Sequence, residues 1–297
     1  METLQVYRIC FCGIRVRFVL PSPVELGREL RSFLCADDGP FDAQYTIRLL
    51  DKPLPHPAEP VCVYRDTKIY QTEEGWLRVY SPLTTGDGLQ VACLLRQNGL
   101  HELYYPASKW DFYSTPLCCT HLMGVELLLL HQDSFLLHSS LVRYRGKAVL
   151  FCGASGAGKS TQAVLWEKYL DAEILNGDRC VIRSTASGFV GGGSPWAGTS
   201  GIYRDESAPI AGIFLVHQAP ENRVLRLGPA AFGPLFSQTV VNAWDAVFME
   251  RITRLYQELL EQVPVYALYC RADEEAVRTA ARSLFCMTAA EGLEESP

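Results

Sequence analysis

The chain has 297 residues, 48% hydrophobic and 20% charged, enough for one large domain or two smaller ones with a sizeable core, and this excludes global disorder. With 27 Lys and Arg against 33 Asp and Glu, the net charge is −6, so no overall positive field draws the chain to nucleic acid or to an anionic membrane. The 11 cysteines are odd in number, lack any C-x-x-C and show no zinc-finger spacing. Several sit in apolar runs as small reduced hydrophobes do, which points to the cytoplasm.

The first residues, Met1-Glu2-Thr3-Leu4, carry no basic stretch leading into an apolar one. The longest apolar segment, 122–130, is interrupted by Glu126 and falls short of the ~20 residues of a membrane span. A soluble protein with no membrane partner is expected. Residues 6–19 are rich in β-branched, aromatic and cysteine residues and predict strands. A helix is expected over 23–33. Residues 51–60 hold four prolines and predict a connection. Residues 61–70 and 76–80 predict strands around a polar turn at 71–75. Residues 91–95 predict another strand, ended by the hairpin signal Gln97-Asn98-Gly99. No chemical motif appears in this part, which reads as a β-rich accessory or substrate-recognition domain over 1–122.

From residue 123 the pattern changes. A helix is expected over 123–130. Two apolar strands follow, 134–144 and 147–152, joined at Arg145-Gly146. The second runs into Gly153-Ala154-Ser155-Gly156-Ala157-Gly158-Lys159-Ser160-Thr161, which fits G-x-x-x-x-G-K-[ST] without mismatch. A helix-like run over 162–169 comes next. Glycines let such a loop wrap phosphates with its backbone N–H groups, and the helix start adds a favourable field. Lys159 is expected to reach the β- and γ-phosphates, and the Ser160 hydroxyl to ligate Mg²⁺. The cofactors implied are ATP and Mg²⁺.

Asp178 closes the apolar run 172–177, nineteen residues after Lys159. One helix and one strand fit that interval, so Asp178 is placed near the phosphates. There a carboxylate binds Mg²⁺ or acts as a base toward a hydroxyl. The glycine-rich stretch 191–201 is expected to be a mobile loop beside the acceptor, with Trp196 stacking on substrate or filling a notch when the loop closes. Asp205 and Glu206 follow it as candidates for a second acid. In the last third, 211–216 and 265–270 predict strands. Residues 232–260 hold helical patterns, Asp273-Glu274-Glu275 starts a final helix, and 291–297 read as a tail.

The phosphate loop with its flanking strand pair, followed by Ile174-Leu175-Asn176-Gly177-Asp178-Arg179, resembles the HPr kinase/phosphorylase superfamily, whose fold is shared with phosphoenolpyruvate carboxykinases. Segments 193–198, 208–216, 222–227 and 263–268 are also similar to it. The resemblance covers about 134–285. Residues 1–120 look more like divergent bacterial relatives than like the N-terminal domain of true HPr kinases. The resemblance implies an ATP-binding loop at 153–161 and a functional histidine at His138. Asp178 matches one aspartate of a neighbouring pair that supplies base and metal functions, and Gly177 stands in place of the other. That departure bears on phosphorylase more than on kinase activity.

His138 follows an apolar run and has two readings: a half-buried, hydrogen-bonded histidine, or one facing the phosphates from an adjacent strand. Among Arg179, Arg204 and Arg226, Arg226 is the preferred clamp on the transferring group, because it falls in the family-like strand.

The expected fold is α/β (or α+β), with a P-loop kinase core on a mixed sheet over 123–297. The expected function is a Mg·ATP-dependent kinase acting on a hydroxyl of a small molecule or of a serine in a peptide. A nucleotide-binding regulatory or assembly protein with a degenerate site is the alternative. A homo-oligomer stays open.

Overall fold

A computed structural model of the chain describes residues 4–36, 39–64, 66–80, 89–110, 123–196 and 198–285. The fold is mixed α/β, with two multi-stranded sheets in two compact units. The first unit comprises residues 1–132 with 242–246, and the second 133–241 with 247–297.

The first unit is built on eight strands, β1 (Gln5–Phe11), β2 (Ile14–Leu20), β3 (Ala43–Leu50), β4 (Cys62–Tyr64), β5 (Thr67–Thr72), β6 (Gly75–Tyr80), β7 (Val91–Leu95) and β8 (Leu100–Pro106). They pair in the order β1-β2-β3-β8-β7-β6-β5-β4. Burial alternates strictly along β2, so one face of the sheet meets the core. The hairpins expected at 71–75 and 97–99 form where the turn residues put them. The helix expected over 23–33 shortens to α1 (Arg28–Arg31), because this stretch buries little more than Leu30 and Phe33 and so has no apolar stripe to pack. Helix α2 (Val125–His131) buries Glu126, whose carboxylate pairs with Arg78. Arg78 also donates to Asn242 Oδ1 and lies over the Trp244 ring.

The second unit begins with β9 (Ser134–Tyr144) and β10 (Lys147–Cys152), strands with the bounds the sequence predicts. Their turn residues Arg145 and Gly146 both have positive φ, as a tight two-residue hairpin requires. Helix α3 (Lys159–Leu170), β11 (Glu173–Asn176), β12 (Arg179–Thr185), β13 (Gly188–Gly192), β14 (Ser207–Gln218) and β15 (Arg223–Leu227) follow. Then come α4 (Phe232–Phe236), α5 (Ala246–Gln262), β16 (Val265–Cys270) and α6 (Glu274–Leu284). The long strands β9 and β14 each change partner along their length. Residues 134–138 of β9 pair with β12, whereas 139–144 pair with β10. Residues 207–209 of β14 pair with β13, and 210–215 run parallel to β10. Strands β10, β9, β12, β13 and β14 thereby close a ring, and the parallel set β10, β14, β16 extends from it to the antiparallel edge strand β15.

Helices α3 and α6 cover one face of the parallel set. Phe151, Phe214, Trp166, Leu268, Ala280 and neighbours form the core there. Helix α5 buries Phe248, Ile252, Leu255, Tyr256 and Leu259, a stripe at helical spacing. Helix α6 starts where the sequence places it, because the Asp273 side chain accepts from the Ala276 N–H at 2.9 Å and caps its first turn.

The glycine-rich stretch differs from expectation. Gly191 and Gly192 lie in β13, and a Cβ on Gly191 would meet Leu141, Ala148 and Ile210 at 3.3–3.5 Å. Glycine is used here for close packing rather than for mobility. Trp196 is already buried among the described residues. Of the cysteines, Cys93, Cys152, Cys180 and Cys270 are buried and Cys10, Cys12, Cys35 and Cys62 half-buried. Cys118, Cys119, Cys286 and the tail 291–297 lie outside the described residues. No described helix is long and apolar enough to cross a membrane.

Candidate phosphate-loop site

The loop between β10 and α3 owes its shape to its glycines. Gly153, Gly156 and Gly158 take φ of 147°, 78° and 105°, values that side-chain-bearing residues rarely adopt. A Cβ at Gly153 would also come within 3.1 Å of the Val216 carbonyl. Lys159, at the start of α3, folds its ammonium back into the loop, where Nζ donates to the Gly153 carbonyl at 2.9 Å and the Ala154 carbonyl at 3.2 Å. Burial pushes its pKa down, and the charge on Asp178 opposes that shift. Ala154, Ser155, Gly156, Ser160 and Thr161 are exposed, with Ala157 and Gly158 half-buried. The Gln218 side chain, from the end of β14, donates Nε2–H to the Gly156 carbonyl at 2.9 Å and fixes the loop's outer turn.

Asp178 follows β11 and stands beside β9. Its backbone carbonyl accepts from the Ser139 N–H, and its Oδ1 lies 3.2 Å from His138 Nε2. The hydrogen bond from His138 holds the Asp178 carboxyl below its usual range, helped by the charges of Arg179 and Lys159. Arg179 Nε is 3.6 Å from Asp178 Oδ2. His138 is half-buried and hydrogen-bonded, as the first of its two readings has it, and its partner is the candidate acid itself, a placement with which the second reading is also compatible.

Residues the sequence did not single out hold this turn. Asn176 is fully buried, and its Oδ1 accepts from the N–H groups of Asp178 and Arg179, both at 2.9 Å. Its Nδ2 donates to the Ser194 carbonyl at 3.1 Å, and the Ser194 hydroxyl donates to the Arg179 carbonyl. An Asn before Gly in an apolar run was the available signal. The 198–201 segment closes over the same turn. A Cβ on Gly177 would lie 2.1 Å from Ser200 Oγ and 2.4 Å from Ser200 Cβ, and one on Gly198 would lie 2.6 Å from Asp178 Cγ.

The structure brings Lys159, His138, Asp178 and Arg179 together. It does not bring Arg226 to them. Arg226 is exposed on β15, in register with Tyr266, Phe214 and Phe151, three strand spacings or about 14 Å from β10. Arg204 is exposed and pairs with Glu173 at 3.6 Å. Glu206 pairs with Arg143, which also holds Glu173. Asp205 has its pKa raised by burial and by Glu206.

The donor set suits magnesium and a polyphosphate. A hydroxyl and one ionised carboxylate are what a hard, oxygen-seeking cation takes from protein when phosphate oxygens and water complete its shell. The Lys159 ammonium already sits among carbonyl oxygens of the loop, poised for stronger acceptors. Neither a protein-family model nor a curated protein matches this chain.

Proposed function

We propose that this chain is a Mg·ATP-dependent kinase of the HPr kinase/phosphorylase type, transferring a phosphoryl group to a hydroxyl of a small molecule or of a peptide serine in the cytoplasm. The observation that carries the reading is the joint placement of the Lys159 ammonium inside a G-x-x-x-x-G-K-S loop and of the Asp178 carboxylate, hydrogen-bonded by His138, beside it. The loop N–H groups and Lys159 bind and orient the phosphates. Ser160 and Asp178 would hold Mg²⁺, which when bound neutralises phosphate charge. The acceptor oxygen forms a bond to the γ-phosphorus as the bond from that phosphorus to the β–γ bridging oxygen breaks, and ADP leaves. The acceptor proton passes to the Asp178 carboxylate. A low-pKa carboxylate is a weak base, which suits a loose transition state in which the proton leaves late. His138, whose Nε2 is 3.2 Å from Oδ1, fixes the carboxylate's orientation.

The test incubates protein, Mg²⁺ and γ-labelled ATP with a fractionated metabolite and peptide extract. Label on a hydroxyl, lost with Lys159→Ala and reduced on the order of 10²- to 10³-fold in Asp178→Asn, is the expected result. Nucleotide binding without transfer or acceptor-dependent hydrolysis across a broad acceptor set favours a second reading, a nucleotide-binding regulator. Ser200, which fills the space where a side chain at position 177 would go, speaks for that reading.

A further inference from the structure

A cleft of about 340 Å³ opens beside the phosphate loop at the carboxyl ends of β14 and β16. That volume is in the range of small-molecule sites, and the carboxyl edge of parallel strands is where open α/β sheets bind ligands. Ala157, Gly158, Ala219 and Ala272 keep its walls low, and Arg271 stands at its rim, held by Asp273 and Glu275. Gln218 lines it while clamping Gly156, so cleft and phosphate loop are one continuous surface.

Gln162 also lines this cleft and is only 2% exposed. It follows Thr161 in the first turn of α3, among apolar core residues. Its Nε2 donates to Cys270 Sγ at 3.2 Å, a weak acceptor, and its Oε1 has no partner among the described residues. A buried amide oxygen left unpaired is costly, and an alanine or leucine here would avoid the cost. A ligand that brings an amino group to this wall removes it.

We propose that this cleft takes the purine base of the nucleotide and that Gln162 selects adenine, its Oε1 accepting from the 6-amino group. The proposal rests on the nucleotide-binding reading above. A 6-oxo purine presents an acceptor at that position and carries its donor on N1 instead, so a base seated with position 6 at Oε1 sets two oxygens against each other. An amide reading adenine in this way discriminates by roughly 5- to 150-fold when both of its polar atoms engage; with one engaged, about tenfold is expected.

The probe pair is ATP and ITP, which differ at position 6, amino against oxo, and at N1, an acceptor in adenine and an N–H donor in hypoxanthine, titrated by calorimetry into the full chain with Mg²⁺. Wild type should bind ATP about tenfold or more tighter than ITP. In Gln162→Met, which fills similar volume without a polar end, the ratio should fall to near one, with ATP losing affinity and ITP losing none. Equal affinities in wild type overturn the proposal and leave the kinase reading standing. Binding of neither nucleotide overturns that reading and the proposal with it. Trp166 Nε1, one helical turn on, also lacks a partner among the described residues. If Gln162 serves Trp166 instead of a base, the Met variant loses stability with the ATP/ITP ratio intact, and this too overturns the proposal. The wild-type comparison needs no variant to fold.

Discussion

Replacing Gly177 by alanine isolates one steric contact at the candidate site. Gly177 is not at positive φ, so alanine meets no backbone penalty and gains roughly 0.4–1 kcal/mol from a less flexible unfolded chain. Against this, the new Cβ would lie 2.1 Å from Ser200 Oγ and 2.4 Å from Ser200 Cβ. Rotating the hydroxyl relieves only the first contact, so the 198–201 turn must move. That turn is tied down by the bond from the Gly177 N–H to the Ile202 carbonyl and by that from the Arg204 N–H to the Leu175 carbonyl. Overpacking of this kind costs about 1–3 kcal/mol; with the turn tied down by both bonds the upper half of that range applies, about 2–3 kcal/mol, leaving a net loss of about 1–2.5 kcal/mol. For a unit of this size the melting temperature should fall by roughly 2–8 °C. Urea unfolding and calorimetry measure the loss. Ser200→Gly should rescue Gly177→Ala, with a coupling of about 1 kcal/mol or more, whereas Ser200→Ala, which keeps the Cβ, should not. Gly177→Ala as stable as wild type, or rescued equally by both partners, would refute the reasoning. The same contact explains why an aspartate is not accommodated at position 177.

Lys159→Ala should weaken ATP binding by roughly 10- to 100-fold in calorimetry, since a charged donor to phosphate is lost, with little change in far-ultraviolet circular dichroism. His101 is buried against Tyr45 and accepts from the Arg96 N–H; burial pushes its pKa down to about 4, aided by His131 and Arg96. The unfolded chain then binds the proton more tightly, so the stability tied to neutral His101 is complete above about pH 6.5 and is lost as pH falls toward 4, by about 3 kcal/mol at most. Urea unfolding from pH 7 to pH 4 should show a shallower fall in His101→Gln than in wild type, and parallel curves would count against it. Thiol titration of the native protein should leave Cys93, Cys152, Cys180 and Cys270 unreacted, because all four are buried and burial pushes the thiols of Cys93 (to about 12), Cys152 and Cys270 up. Under denaturing, non-reducing conditions all 11 cysteines should react, and fewer would reveal disulfides.

What the chain states locally, it states well. Strands β9, β10 and β16 have the bounds read from apolar runs and their turns, because period and turn chemistry act over a few residues. The phosphate-loop sequence sits between a strand and a helix, as its spacing requires. Asp273 caps the last helix for the same local reason. Pairing partners are another matter. That β9 and β14 each serve two neighbours depends on contacts between distant segments, and hydrophobic pattern does not encode which strand lies alongside. Because of that closure the glycines of 191–192 belong to a strand, crowded by Leu141, Ala148 and Ile210, and Trp196 is buried. Tertiary structure alone set His138 against Asp178, put Arg226 on a distant edge and left the Gln162 amide half-paired in a cleft wall. Residue type gave each of these side chains its chemistry, but distance and burial decide which chemistry is used, and both are properties of the folded chain.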